Sequence, residues 1–328
     1  MSKLNLFWPV YKSLEKEVLK LADYIHFSDD QTKVYSIHIA DLIVRCSIEI
    51  EAISKELYIG LGGNTTPTND DGSKRDLYFD TDCLELLEEK WKLGKKQIMI
   101  SASTFYFMND QNKILTPLKK ANKRGSSGSK WKQAYQSVKH SRKVSLKKAT
   151  IENLLNAMGA LYILNLYYRE EKFNIGCFYM GNKEFDNSVG SEMFSVFTYK
   201  ATGLSMKQHM DDSCIINLIG NDIDRSIYII KYDDKLFKEM EEDYRKDYEI
   251  TMNNFYNSIE ISRFLEANPD YEVRTVSETC MDAGGINLLE RIRCSKHQQQ
   301  NKSIKTEAII NKHTNIYPPI KPLESKKV

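Results

Sequence analysis

Val10, Leu14, Val18, Leu21 and Ile25 follow one another at intervals of four, four, three and four residues. That spacing is one face of an amphipathic helix and predicts a helix over 10–27. After a polar stretch at 28–33 the pattern returns over 34–59. There Ile39, Ile43, Cys46, Ile50, Ile53 and Leu57 form the most regular stripe in the chain, and Gly60, Gly62 and Gly63 end it. Residues 64–76 turn to Asn, Thr, Pro, Asp and Gly, which bury little and predict a mobile loop. A short helix is predicted over 83–91, opened by Thr81 or Asp82 with Glu85 behind it in a capping-box pattern. Imperfect alternation over 96–107 predicts a strand or an ordered edge segment.

Residues 119–130 form a basic loop containing Gly125, Ser126, Ser127 and Gly128, expected to be exposed and flexible. It leads into a third helix carrying Trp131, Ala134, Tyr135 and Val138 at helical spacing, which breaks near 140–144. A fourth long helix, 145–168, is apolar around most of its girth through Leu154, Leu155, Met158, Leu161, Tyr162, Leu164 and Leu166, and such a helix belongs at the centre of a bundle. Residues 1–172 are therefore predicted to form an antiparallel helical bundle with an insertion at about 61–129. Beyond Lys172 come short aromatic and β-branched runs at 175–180, 193–199, 214–219 and 226–232. An acidic helix over 235–264, a strand over 271–276 and a last helix over 286–292 follow. This is the pattern of a smaller α+β domain spanning 173–295, which makes the chain α+β as a whole. From 296 to 328 Gln298, Gln299 and Gln300, scattered lysines and Pro318 with Pro319 predict a flexible tail.

Composition adds little until charge is mapped. The chain has 328 residues, 41% hydrophobic and 28% charged, as expected of a globular protein with a sizeable core. Six scattered cysteines without a CxxC pair predict reduced thiols and a cytoplasmic location. Residues 1–7 lack the apolar core of a signal peptide, and the apolar stretch 154–168 falls short of the ~20 residues of a membrane span. Membrane partners are thus not expected.

The 47 Lys and Arg nearly cancel the 45 Asp and Glu, for a net charge of +2. Between 111 and 151, however, stand 12 Lys and Arg (Lys113, Lys119, Lys120, Lys123, Arg124, Lys130, Lys132, Lys139, Arg142, Lys143, Lys147, Lys148) and His140, with no acid. The rest of the chain carries 35 basic against 45 acidic residues, a balance of −10. A cationic stripe joined to Trp131 and Tyr135 suits contact with a phosphate backbone and stacking on bases. The competing reading is a solvated face that pairs with acidic parts of the same chain or docks on an acidic protein surface.

Within this stripe Trp131 and Tyr135 share a helix face that Lys139 continues, and Arg142 follows on the adjoining stripe. His140 beside two cations suits a neutral general base; alternatively, it caps the junction between two helices. On the second helix, Arg45 with Glu49 and Glu51 with Lys55 have the spacing of intrahelical pairs worth about 0.2–0.5 kcal/mol each. Glu51 has the alternative of turning inward to Lys139 or Arg142, where a buried carboxylate needs such a partner.

The helix ending in residues 50–57, the segment from Tyr135 to Arg142 and the long apolar helix after it together resemble the HEPN superfamily of helical bundles. Its members are mostly prokaryotic and include RNA-cleaving toxins, antiviral defence effectors and non-catalytic RNA- or nucleotide-binding modules. The resemblance covers about 10–170 and implies RNA as partner, a two-fold homodimer and, where the member is an enzyme, metal-independent endoribonuclease chemistry without a cofactor. The family's nuclease motif sets an Arg and a polar residue four to six positions before the His. Here Ala134, Tyr135 and Gln136 occupy those positions and Arg142 follows, so only His140 carries over. In such a mechanism His140 would assist attack by the ribose 2′-hydroxyl while Lys139 or Arg142 stabilises charge on the phosphate. Asp211, Asp212, Asp222, Asp224, Asp233 and Asp234 lack calcium-loop spacing, and His209, His297 and His313 lack a zinc pattern, so no metal is expected. Residues 282–285, ending in Gly284 and Gly285 before a helix, are a candidate anion-holding turn.

Overall fold

The computed structural model describes residues 5–177, 184–201, 206–208, 214–216, 223–298 and 305–313. Helix α1 (Phe7–Leu21) buries Tyr11, Leu14 and Val18, and α2 (Ile37–Gly60) buries the stripe from Ile39 to Leu57. The Ser36 hydroxyl accepts from the Ile39 amide and starts α2. At its end Gly62 turns at φ +78°, and Gly63 lies so close to the Tyr58 ring that a Cβ would sit 2.3 Å from it. Residues 64–76 are held by a turn in which Thr68 bridges Lys74 and Asn69 bonds Ser73.

A π-turn (Phe79–Leu84) leads into α3 (Glu85–Trp91). Strand β1 (Ile98–Ile100), the short α4 (Asp110–Lys113) and β2 (Ile114–Leu115) complete the expected insertion. Helix α5 (Lys130–Ser145) and α6 (Ile151–Arg169) follow, with a non-helical Ser141 (φ −151°, ψ 68°) inside the first of them, at the predicted break.

Helices α2 and α6 run side by side in the same direction. Tyr35 bridges Thr150 just before both begin, the Cys46 Sγ lies 3.1 Å from the Met158 Sδ midway, and Glu56 acts on Tyr168 near their ends. Helix α1 runs against α6, Phe7 meeting Tyr168 and Tyr11 meeting Tyr162.

Next in the chain come β3 (Phe173–Cys177), β4 (Phe194–Val196), β5 (Thr198–Lys200), β6 (Met206–Gln208), β7 (Cys214–Ile216) and β8 (Tyr228–Tyr232). The helices α7 (Asp234–Tyr256), α8 (Ile259–Ala267) and α9 (Val276–Ile292) precede the last strand, β9 (Lys305–Ile310). The predicted runs at 175–180 and 214–219 extend beyond the described residues, as do His209, Asp211, Asp212, Asp222, Gln299, Gln300, Pro318 and Pro319.

Several expectations change. The boundary at 172 does not hold, because β1 of the insertion pairs antiparallel with β4, Ile98 opposite Val196, in a sheet of order β2-β1-β4. One apolar core runs from Tyr11 through α6 to Ile310. Residues 305–310, assigned by composition to a flexible tail, instead form a central strand. Strand β9 pairs antiparallel with both β3 and β8, Ala308 opposite Phe173 and Ile230, and β5 lies parallel to β8. Its Thr306, Ala308, Ile309 and Ile310 are buried, which outweighs the polar flanks that govern composition. The predicted helix 235–264 is two helices, since Ser258 caps α8 at the Ile261 amide, and 271–276 is not a strand. Residues 282–285 lie at a break within α9, where Gly285 leaves helical geometry at φ +70° and the expected last helix resumes as far as Ile292. Helices α7 to α9 enclose their own small cluster of Phe255, Ile261, Val276, Cys280, Leu288 and Ile292.

A buried carboxylate fastens α1 to the segment before β4. Glu15 Oε1 accepts from the Tyr11 hydroxyl (2.9 Å), Ser191 Oγ (2.5 Å) and the amides of Glu192 (2.9 Å) and Met193 (3.1 Å), while Lys12 pairs with its other oxygen. Removing it leaves buried donors unmatched, which costs far more than the net worth of one hydrogen bond. Glu15→Ala is expected to lower unfolding stability by about 3 kcal/mol in urea denaturation. A loss below about 0.5 kcal/mol, the size of an ordinary surface substitution, would refute the clamp.

Candidate nucleic-acid interface

The N-terminal half of α5 is an anchor. Trp131, 2% exposed, donates its indole N–H to the Pro117 carbonyl at 2.8 Å, and Tyr135 and Val138 are buried beside it. Lys132, 4% exposed, points inward to the carbonyl oxygens of Ala121 (2.8 Å) and Lys123 and to Asp80 at 3.2 Å. Arg124 Nε reaches the same carboxylate at 3.0 Å while its guanidinium lies 3.9 Å from the centre of the Tyr78 ring. Burial raises the proton affinity of Asp80, but Arg124, the Thr81 amide and Lys132 outweigh it and hold the carboxyl below its ordinary range. Burial lowers the affinity of Lys132, against the pull of Asp80. Lys123 pairs with Glu85 at 3.0 Å, and Lys130 approaches Glu152 at 3.7 Å.

This corrects part of the predicted site. Trp131 and Tyr135 offer no stacking surface, because their rings fill the core. Lys132 is unavailable to a ligand, and Lys123 and Arg124 already face carboxylates of the insertion. Glu85 serves Lys123 and Asn122 rather than a capping box.

The supporting residues also pair otherwise than their spacing suggests. Arg45 bonds Glu17 of α1 at 2.7 Å instead of Glu49, its intrahelical neighbour. Glu51 does turn inward, but meets Tyr135; burial and that carboxylate push the phenol up to about 12. Lys139 comes within 3.5 Å of the same hydroxyl, so Tyr135 stands between Glu51 and the cation predicted to meet it.

Past the anchor the character reverses. Lys139, His140, Arg142, Lys143, Lys147 and Lys148 are exposed on one segment that bends at Ser141, with Val144 at 73% exposure among them. Lys148 donates to Ser137 Oγ at 2.9 Å. None of the six forms a salt bridge with a described carboxylate, and Lys119 and Lys120 on the approach to α5 are likewise exposed. His140, Lys139 and Arg142 are thus brought to one turn, with no described acid bonded to the imidazole.

Two polar clusters escaped the sequence reading. Lys96 is fully buried, donating to the Ser226 carbonyl (2.9 Å) and sharing a 3.0 Å hydrogen bond with His313 Nε2. Burial lowers it to about 7, and burial with Lys96 and Lys92 lowers His313 to about 4. Asp224 is tied to Lys95 (2.6 Å) and Lys92 (3.1 Å) and falls to about 2. At the far end, buried Asp247 binds the His297 ring at 2.7 Å, the Cys294 thiol at 3.2 Å and the backbone amides of His297 and Gln298. No sequence pattern marks either cluster, since each joins residues more than 45 positions apart. Among the described residues no group of three or more His, Cys, Asp or Glu is placed to hold a metal ion, and no helix is long and apolar enough to cross a membrane.

Fold and surface together define a mixed α+β protein, predominantly helical, with a bent, exposed cationic segment. No family model, curated protein or solved structure matches this chain.

Lys96 yields a pH signature. Its folded-state proton affinity lies below the ordinary 10.5, so between pH 7 and 10.5 the unfolded chain holds a proton that the folded one lacks. Stability therefore rises with pH across that window, by on the order of a few kcal/mol. In Lys96→Met this rise should disappear from thermal melts taken from neutral to alkaline pH, while Asn311 still satisfies the Ser226 carbonyl. An unchanged slope in the variant would show that Lys96 is not the titrating group.

Proposed function

We propose that the chain binds RNA through its phosphate backbone, using the cationic segment 139–148 at the end of α5 and the turn that follows. The observation that carries this is the exposure of Lys139, His140, Arg142, Lys143, Lys147 and Lys148 without described carboxylate partners, on a segment whose preceding residues are anchored in the core. Cations in this state gain by releasing the counterions condensed on a polyanion. A protein interface would be expected to centre on aromatic or aliphatic anchors, and Val144 is the lone large apolar side chain exposed among these residues. With Trp131 and Tyr135 buried, the contact is with phosphate and sugar and is indifferent to base sequence.

A second reading, a metal-independent endoribonuclease, is favoured by the exposure of His140 beside Lys139 and Arg142 on one bent turn. His140 would take the proton of a ribose 2′-hydroxyl, and either cation would stabilise charge on the phosphate.

Affinity for a short single-stranded RNA, followed by fluorescence anisotropy, is expected to fall steeply between roughly 50 and 200 mM salt. Arg142→Glu with Lys143→Glu should weaken binding at least about tenfold and flatten the logarithmic salt slope by about 0.7 for each phosphate no longer neutralised. The same reversal at the exposed Lys74 should change neither. Absence of binding at low salt, or equal weakening in the Lys74 control, would dismiss the reading. Loss of cleavage but not of binding in His140→Ala would select the catalytic version.

A further inference from the structure

A cleft of about 570 Å³ opens between residues 116–120, the loop 126–129 and the first turns of α5 and α6. It lies at the opposite end of α5 from the bent segment and does not depend on the RNA reading.

Three observations converge in it. The first-turn amides of α5 point out of a 16-residue helix and have no intrahelical acceptor, and no side chain caps them. A serine at this position ordinarily supplies that cap. Here the Ser129 hydroxyl, in a residue only 9% exposed that lines the cleft, has no hydrogen-bond partner at all. Buried polar groups are rarely left so, and unmatched donors at a helix start suit an anion. Lys119 and Lys120 add positive charge, neither forming a salt bridge with a described residue. Lys130, 78% exposed, is held only loosely by Glu152, which also pairs with Lys33.

The loop is shaped before any ligand arrives. Gln133 Nε2 donates to the Gly128 carbonyl (2.7 Å) and Ser126 carbonyl (3.3 Å), Ser127 Oγ bonds the Arg124 carbonyl (2.7 Å), and buried Lys132 grips the strand of chain behind it. A Cβ on Gly128 would stand 2.7 Å from the Lys123 carbonyl, so this close turn requires glycine. The donors are therefore presented on a rigid frame, which reduces the ordering cost of binding.

We propose that this cleft binds the terminal phosphate of a phosphate monoester, its oxygens taken by the α5 amides and the Ser129 hydroxyl and its charge balanced by Lys119, Lys120 and Lys130. The monoester is either a small phosphorylated metabolite or the 5′ end of an RNA. Titration calorimetry with inorganic phosphate, AMP and a short RNA with or without a 5′-phosphate tests the site. Wild type should bind phosphate and AMP, and Lys119→Ala with Lys120→Ala should weaken both at least about tenfold. Ser129→Asp places a carboxylate on the helix amides, so it should abolish binding while keeping or raising the melting temperature. AMP matching the 5′-phosphorylated RNA assigns a small ligand. Tighter RNA binding that is lost with the 5′-hydroxyl form assigns an RNA end. The Arg142→Glu, Lys143→Glu protein should retain phosphate binding, separating this site from the RNA surface. No uptake of phosphate or AMP by wild type, or binding untouched by both sets of variants, overturns the proposal.

Discussion

Enclosure of α6 is the constraint on which the rest depends. A helix apolar on every side loses stabilisation for each face left in water, at roughly 25 cal/mol per Å². Here α1, α2 and α5 cover three sides, but helices alone do not close the wall. The fourth side is met by the insertion, where Gly159 lets Ile98 and Pro117 approach so closely that a Cβ would lie 2.6 Å from the Ile98 methyl. Two tyrosines on α6 bring their hydroxyls into the core and must find acceptors. Tyr162 donates to the Ser188 carbonyl at 2.6 Å and Tyr167 to the Asn311 carbonyl at 2.8 Å. Segments more than a hundred residues apart are thereby drawn to one helix, and the expected division at 172 dissolves into one core.

The same logic separates what is legible in the chain from what is not. Periodic burial is a local property, so α2, α6 and the break in α5 are readable from spacing. Pairing between distant segments is not local. Strand β9 is six residues between polar stretches, and only its neighbours β3 and β8 make it a central strand. The candidate site divides in the same way. Trp131 and Tyr135 at a spacing of four mark one helix face, yet spacing alone does not say whether that face meets the core or a base. Lys132 differs in no sequence property from Lys130, but two loop carbonyls and Asp80 draw it inside. Glu51 turns inward, as its place beside the apolar stripe allows, but its partner is Tyr135, which only the outcome of that same ambiguity brings within reach.

The acid-free stretch from 111 to 151 divides into a part that pairs with acids of the same chain and a part that does not. Four of its cations, Lys123, Arg124, Lys130 and Lys132, meet Asp80, Glu85 and Glu152. These acids sit on the insertion and on α6, so charge pairing here fastens the loop before α5 to the body of the protein. Where such a pair is shielded, as at Asp80, removing one partner strands the other, and the pair acts as a structural lock rather than a ligand site.

From Lys139 onward no described carboxylate forms a salt bridge, although Glu51 meets the Tyr135 hydroxyl that Lys139 approaches. Six cationic or protonatable side chains crowded on ten residues repel one another within the ~8 Å screening length of physiological salt. Exposure keeps that repulsion modest, and no described salt bridge relieves it. The anchor makes the difference matter: because Trp131, Lys132 and Tyr135 immobilise the first half of α5, the bent second half is carried at a fixed place on the surface instead of trailing as a disordered basic tail. A polyanion arriving there meets charges already gathered, and ordering them costs little. The core that hides the aromatic rings therefore leaves charge, and not ring surface, as what this segment presents.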